Sequence, residues 1–155
     1  MVKLAQEIDF IENYILIQQV RFGDRLRFQK HVDESCLELS IPPMILQPLV
    51  ENSVKYGIAP KEDGGTIILI VKHLTGAVFF EVRDDGLGIH AKKVMDGSVG
   101  GVGMRNTDLR LKSYYGPSAG LVVRAKEDGY SVSFSIPVHD SIEKNEVLFV
   151  PNEIK

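Results

Sequence analysis

The sequence has one cysteine, no apolar run long enough to span a bilayer, and no excess of positive charge. Its 155 residues carry 18 Lys and Arg against 21 Asp and Glu, a formal net charge of −3 at pH 7. No general basic field is therefore available to hold nucleic acid or anionic lipid. A lone Cys36 forms no internal disulfide, and a structural zinc site usually takes about four Cys or His ligands. We expect one compact domain in a reducing, cytosolic setting, not inserted in a membrane.

The opening segment has the period of an amphipathic helix. Its apolar residues recur at spacings of four, three and four, and we expect the helix to end near Gly23. The apolar stripe consists of Leu4, Ile8, Ile11 and Ile15. Polar residues are predicted mostly on the other face: Glu7, Asp9, Glu12, Gln18 and Gln19.

The rest of the chain alternates strand and helix patterns. Pro48 falls in the first turn of a predicted second helix, and Gly57 is its predicted stop. Pro137 is predicted to end the sheet. Helices are expected at 44–56 and 104–115, and strands at 25–32, 38–41, 66–72, 77–83, 121–125 and 130–136. Residues 139–155 are predicted to be a tail with a short strand at 147–150.

Three groups of polar and glycine residues suggest a ligand site. On a helix, positions 51, 52, 55 and 56 project over about half a cylinder, so a carboxylate, an amide and an ammonium meet beside one ligand. Each group alone also fits a plain feature: a solvated helix face, a turn or a linker. The groups are Glu51-Asn52-x-x-Lys55-Tyr56, Asp84-x-Gly86-x-Gly88 and Gly101-x-Gly103.

These segments resemble the three nucleotide-binding boxes of the ATPase superfamily of gyrase, Hsp90, histidine kinases and MutL. Residues 49–56 resemble its N box, and residues 84–88 and 101–106 its two glycine boxes. The flanks 10–26 and 41–48 resemble the LytS-type sensor histidine kinases in particular. The resemblance covers Leu4 to Pro137. It implies an α/β (α+β) fold of the Bergerat type, a two-layer sandwich whose mixed sheet is covered by helices on one face.

The resemblance also implies roles in binding ATP and Mg²⁺. Asp84 would accept a hydrogen bond from the adenine amino group, and guanine presents a carbonyl oxygen there instead. Asn52 would offer its oxygen to Mg²⁺. Lys55 would offset phosphate charge and Tyr56 would border the nucleoside. Close approach of the backbone is implied at Gly86 and Gly88, and phosphate binding at the helix start that contains Gly101, Gly103, Met104 and Arg105.

Glu51 is the implied catalytic residue, which would orient or deprotonate the attacking group. Residues 87–100 would form a short lid over the nucleotide. Three positions depart from the family pattern. Asp85 adds a second negative charge, expected to weaken binding unless it points to Mg²⁺ or solvent, and Leu87 replaces a frequent proline. Tyr130 stands where many relatives carry a threonine that fixes a water near adenine, which puts that water network in doubt.

The phosphoacceptor of such kinases lies in a motif resembling Asn-Pro-His-Phe, and no such motif occurs in this sequence. We interpret the four histidines as ordinary surface or half-buried residues: His31, His73, His90 and His139. The chain is expected to be the C-terminal catalytic part of a longer receptor. Residues 1–23 would be the remnant of the dimerisation and phosphoacceptor helices, 24–138 the ATP-binding domain and 139–155 the tail.

The expected function is transfer of the ATP γ-phosphoryl group to a histidine outside this chain, for relay to a response regulator. The expected partners are the phosphoacceptor helical domain and the response regulator, with a homodimer in the full-length protein and no nucleic acid. The domain is expected in the cytoplasm and the full-length protein in the cell membrane. Two alternatives stay open: an ATPase or anti-sigma-type serine kinase, and a module that holds ATP without transfer. The signatures at 21–25 and 46–48 argue against the first.

Overall fold

The structure is a computed structural model that describes residues 1–91, 101–140 and 147–149. Its helices are α1 (Leu4–Phe22), α2 (Gln47–Asn52), continued by a π-helical segment (Ser53–Ile58), and α3 (Gly101–Tyr115). Its strands are β1 (Val2–Lys3), β2 (Leu26–Val32), β3 (Ser40–Ile41), β4 (Gly65–Leu74), β5 (Ala77–Asp84), β6 (Val122–Lys126), β7 (Gly129–Asp140) and β8 (Val147–Phe149).

The main sheet has the strand order β2-β4-β5-β7-β6, and β8 pairs with the far end of β7. Strands β2 and β4 run parallel, whereas the other pairs are antiparallel. The sheet is therefore mixed. Strands β1 and β3 form a separate two-stranded antiparallel sheet.

One face of the sheet packs under the helices. Alternate residues are buried over 65–71 of β4, 78–84 of β5 and 130–138 of β7, as the period of a strand requires. Phe80 and Phe134 are cross-strand partners on this inner face, with stacked rings 4.7 Å apart. Buried residues of all three helices belong to the same core. The predicted two-layer sandwich is confirmed.

Helix α1 lies on this core with the predicted stripe Leu4, Ile8, Ile11 and Ile15. The placement of Glu7 on the polar face is wrong, because its side chain is only 2% exposed. Position 7 follows Leu4 by three residues and precedes Ile11 by four, so it falls on the buried face. Among the residues that the structure describes, no helix combines the length and apolarity needed to cross a membrane.

Three predicted boundaries are corrected. The second helix begins at Gln47, later than predicted, because Met44 has a φ of 59°, which no right-handed helix accommodates. It does not stop at Gly57, since the π-helical segment continues to Ile58. Strand β7 also runs through Pro137 to Asp140. Pro137 opposes the first residue of β5, and the next amide, of Val138, donates to the Gly76 carbonyl at 3.0 Å.

A short strand is confirmed within the predicted tail, at Val147–Phe149. The remainder of the tail, 141–146 and 150–155, and most of the predicted lid, 92–100, lie outside the described residues. The assignment of 1–23 as a remnant of a preceding helical region stays a prediction.

Candidate functional site

The predicted N box and first glycine box meet at one end of the inner sheet face. Helix α2 with its π-helical extension, the turn after β5 and the start of β7 surround a cavity of about 10 Å³. Four predicted site residues line it, namely Asn52, Tyr56, Asp84 and Gly88. Gly57, Ala91 and Tyr130 complete the lining. The two boxes, separated by about thirty residues in the chain, are thereby brought together.

Asp84 is the last residue of β5 and is only 3% exposed. Its Oδ1 accepts a hydrogen bond from the Gly86 amide at 2.9 Å, which fixes the carboxylate within the turn. Gly57 lies directly against it, because a Cβ there would be 2.8 Å from Asp84 Oδ1. A buried carboxylate of fixed orientation selects a ligand that presents a hydrogen-bond donor.

Glycines let the helix and the turn approach closely. A Cβ on Gly86 would lie 2.4 Å from the Gly57 carbonyl oxygen, and the Leu87 amide donates to that oxygen at 3.2 Å. Gly88 has a φ of 57°, and a Cβ there would lie 1.8 Å from the Lys126 carbonyl oxygen. Neither glycine tolerates a side chain in this arrangement.

Tyr130 enters the cavity from the sheet. It pairs directly with Asp84 in the β5–β7 ladder, is only 6% exposed, and its hydroxyl is hydrogen-bonded by the Asn52 side chain. Burial raises the pKa of Tyr130 to about 12, and the Asp84 charge adds to the rise while the Asn52 hydrogen bond opposes it. The tyrosine therefore bridges the sheet and α2 through the middle of the site.

Asp85 does not add its charge to the cavity. Its Oδ1 accepts a hydrogen bond from the Thr66 amide at 2.7 Å, and its carbonyl accepts one from Lys61 Nζ at 2.9 Å. The side chain is exposed on the opposite face from Asp84. Because the Asp85 side chain is exposed to solvent, we no longer expect its charge to weaken nucleotide binding.

The other two site residues predicted in the N box, Glu51 in α2 and Lys55 in the π-helical segment, are not among the described residues that line the cavity. Glu51 is half-buried, and its Oε1 accepts a hydrogen bond from Gln47 Nε2 at 3.1 Å. Tyr14 of α1 lies near it, and burial together with the Glu51 charge raises the pKa of Tyr14 to about 12. Lys55 is exposed, with Nζ 5.1 Å from the centre of the Tyr56 ring.

Two residues that the sequence analysis did not assign to the site hold the ends of this helix. Glu7 Oε1 accepts hydrogen bonds from the amides of Leu46 at 2.6 Å and Gln47 at 3.4 Å. Arg25 Nη2 donates to the carbonyls of Ala59 at 3.1 Å and Lys61 at 2.8 Å. In the sequence, Glu7 could have been found as a carboxylate within the apolar stripe of α1. Arg25 could have been found from the flank motif at 21–25.

The second glycine box forms the first turn of α3. Gly101, Gly103, Met104 and Arg105 are all helical, Met104 is buried and Arg105 is exposed. A Cβ on Gly103 would be 4.0 Å from Pro48 Cβ, so this turn faces the start of α2. None of the four is among the described residues that line the small cavity.

A larger cavity of about 420 Å³ lies at the same end of the sheet, on the outer face. Its lining side chains include Thr66, Glu81, Arg83 and Arg124, which alternate with the buried residues. Asp84 and Tyr130 border it, but their buried side chains belong to the inner face. The site is therefore assigned to the small inner cavity, where the predicted residues converge.

Comparison with curated proteins identifies the family. The chain is 34% identical over 146 residues to the sensor protein LytS of Staphylococcus haemolyticus, and 36% identical over 143 residues to the sensor histidine kinase YpdA of Escherichia coli. These matches cover 89% and 88% of the chain. It belongs to the LytS-type sensor histidine kinases. No family model matches the chain.

Solved structures share the fold of this chain. The catalytic domain of the histidine kinase ThkA superposes with a TM-score of 0.64 at 16% identity, covering 88% of this chain and 94% of that one. The histidine kinase domain from Erythrobacter litoralis EL346 gives a TM-score of 0.62 at 17% identity, covering 88% and 61%. At such low identity, the likeness shows the fold alone.

The chain spans about a quarter of the length of its curated relatives, 25% of LytS and 24% of YpdA. In the structure, residues of the predicted N box and first glycine box line one cavity.

Proposed function

We propose that this chain binds Mg·ATP between α2 and the turn after β5 and acts as the catalytic domain of a histidine kinase. The observation that carries the proposal is the buried Asp84 carboxylate. It is held by the Gly86 amide, lies against Gly57 and shares a cavity with Asn52 and Tyr56. This arrangement suits the edge of an adenine base, whose amino group donates a hydrogen bond.

The donor set fits Mg·ATP. Asn52 offers one neutral oxygen to Mg²⁺, which prefers hard oxygen ligands and takes its others from phosphates and water. Lys55 supplies a mobile positive charge one turn along the same helix, and the first turn of α3 supplies backbone amides for the phosphates. Bound Mg²⁺ would neutralise charge on the phosphate oxygens.

In the proposed reaction, an imidazole nitrogen of a histidine outside this chain forms a bond to the γ-phosphorus. The bond from phosphorus to the bridging oxygen breaks, and ADP leaves. Glu51 orients that imidazole and takes its N–H proton. The Gln47 hydrogen bond holds the Glu51 carboxylate in position.

The partners of the full-length protein belong to the same proposal. They are a phosphoacceptor helical domain, a response regulator and a second copy of the protein, with the full-length protein in the cell membrane. Helix α1 presents four exposed apolar side chains away from the core, Phe10, Leu16, Ile17 and Val20, at 63%, 62%, 67% and 89% exposure. This surface supports contact of α1 with the helical domain.

The test is phosphotransfer in trans. With γ-labelled ATP, the chain alone should acquire essentially no acid-labile phosphate, whereas a separate polypeptide carrying the phosphoacceptor helices should acquire some. Glu51→Gln should suppress this transfer and leave ATP affinity nearly unchanged, while the exposed-site control Glu62→Gln should do neither. Release of free phosphate without transfer would favour an ATPase instead.

A further inference from the structure

The small cavity cannot hold an adenine base as it stands. Its volume of about 10 Å³ is close to that of one water position, whereas pockets for small-molecule ligands usually measure about 300 to 1,000 Å³. Of the two tyrosines that line it, Tyr130 is the more deeply buried, at 6% exposure. Tyr130 is the cross-strand partner of Asp84, the residue proposed to recognise the base.

The Tyr130 hydroxyl oxygen also accepts a hydrogen bond from the amide nitrogen of Asn52, which leaves the Asn52 oxygen available to a metal ion. The Tyr130 side chain is therefore held beside the base-recognising carboxylate by a residue of α2. Tyr130 stands at the start of β7, beside the hairpin turn that joins β6 to β7. A side chain at the end of a strand can change rotamer without breaking the ladder behind it.

We propose that Tyr130 is a built-in competitor of the nucleotide, whose side chain must leave the cavity before the base of Mg·ATP can bind. This inference rests on the proposed function. When the competent state is only a fraction of the population, the apparent affinity falls by that fraction. Tyr130 thus lowers the affinity of the domain for ATP and ADP alike, since both carry the base.

Two variants separate the hydrogen bond from the ring. Tyr130→Phe removes the hydroxyl and its bond to Asn52, and Tyr130→Ser removes the ring as well. Binding is measured by calorimetry with metal-free ADP and with Mg·ATP. Tyr130→Phe should bind both ligands roughly two- to tenfold more tightly than the wild type, the range for one ordinary hydrogen bond, and Tyr130→Ser should gain at least as much. Phe134→Leu is the control, because Phe134 is a buried aromatic on the same face of the same strand.

A second measurement follows the side chain itself. The chain has five tyrosines, and in protein labelled with 3-fluorotyrosine the Tyr130 resonance is assigned by its absence from Tyr130→Phe. Its ¹⁹F shift should be insensitive to exchange of H₂O for D₂O without nucleotide and sensitive with saturating ADP, since the ring then meets solvent.

Unchanged or weaker nucleotide binding in both Tyr130 variants would overturn the inference, and so would an equal gain in Phe134→Leu, which would point to loosened packing. A Tyr130 resonance that stays shielded from solvent with ADP bound would overturn it as well. These outcomes leave ATP binding by the wild-type chain intact. Failure of the wild type and every variant to bind ATP or ADP would instead reject the proposed function.

Discussion

Asp84 and Tyr130 are direct cross-strand partners at the end of the inner sheet face, in the register that pairs β5 with β7. Both side chains are buried and both line the same cavity with Asn52. Because strand residues in register project to the same side, the sheet fixes this neighbourhood before any ligand is present. The residue proposed to recognise the base and the residue proposed to compete with it are therefore held side by side.

The cap that Glu7 provides to α2 should contribute measurably to stability. Glu7→Ala leaves the amides of Leu46 and Gln47 without their carboxylate acceptor. We expect the free energy of unfolding to fall by about 1 to 3 kcal/mol, the cost of buried groups that lose a hydrogen bond. Urea unfolding measures it, and Asp9→Ala on the exposed face of α1 should change it by less than about 0.5 kcal/mol. Equal effects of the two substitutions would contradict the cap.

The same carboxylate predicts a pH dependence. Burial raises the pKa of Glu7 above its ordinary value of 4.5, against the smaller lowering by the amides of Leu46, Gln47 and Ile45 and by the charge of Arg110. The folded chain therefore keeps this proton where the unfolded chain has released it. The stabilisation is complete below 4.5 and is lost as pH rises through the folded-state pKa.

Glu7→Gln does not titrate and so provides the reference for this pH effect. As the pH is lowered from about 7 to about 5, the wild type should gain stability relative to this variant in urea unfolding. A constant difference across that range, or one of opposite sign, would show that Glu7 is not the titrating group.

Arg25 should support the nucleotide site from the other end of the helix. Arg25→Met removes the hydrogen bonds to the carbonyls of Ala59 and Lys61. We expect a loss of about 1 to 3 kcal/mol in the free energy of unfolding and weaker ATP binding, because the segment after α2 loses its anchor. Arg21→Met is the matched control, since the guanidinium of Arg21, like that of Arg25, contacts the Phe22 ring. If both variants bind ATP alike, the carbonyl bonds have no part in the site.

Gly57 should be intolerant of a side chain for a reason specific to the site. The Cβ of Gly57→Ala would lie 2.8 Å from Asp84 Oδ1, so the carboxylate must move. We expect ATP affinity to fall at least about tenfold, equivalent to about 1.4 kcal/mol. Gly23→Ala is the control, because its positive φ strains the backbone but no atom lies within 4 Å of the added Cβ. Comparable losses of affinity in both variants would point to general destabilisation.

The sequence was sufficient to predict the sheet, because 130–136 alternates apolar and polar residues and 66–72 and 77–83 are short apolar runs bounded by turn residues. It was also sufficient to predict that the N box and the first glycine box meet, since the resemblance carried that arrangement. It could not predict that Glu7 caps α2, because a carboxylate near an amphipathic stripe usually faces solvent. The contact between Tyr130 and Asn52 depends on the distance between sheet and helix, which no local pattern encodes.

The continuation of the helix through Gly57 has a similar explanation. Glycine is a good helix stop by its own preference, but here it is required inside the π-helical segment by contact with Asp84. The tertiary contact therefore overrides the local signal. Pro137 inside β7 is a similar case. The proline was predicted to end the strand, but it lies opposite Ala77, where the pairing of β5 with β7 ends, and β7 continues beyond it.

Calorimetry of ATP and GTP on the wild type, Asp84→Asn and Asp85→Asn tests whether Asp84 recognises the base. We expect the wild type to bind ATP well above GTP. Asp84→Asn should lose roughly 1.5 to 3 kcal/mol of ATP binding, the range for a hydrogen bond with a charged group. Asp85→Asn makes the same chemical change on the opposite face and should retain the preference. Equal affinity of the wild type for ATP and GTP, or equal losses in the two variants, would contradict the assignment of Asp84 as the base-recognising residue.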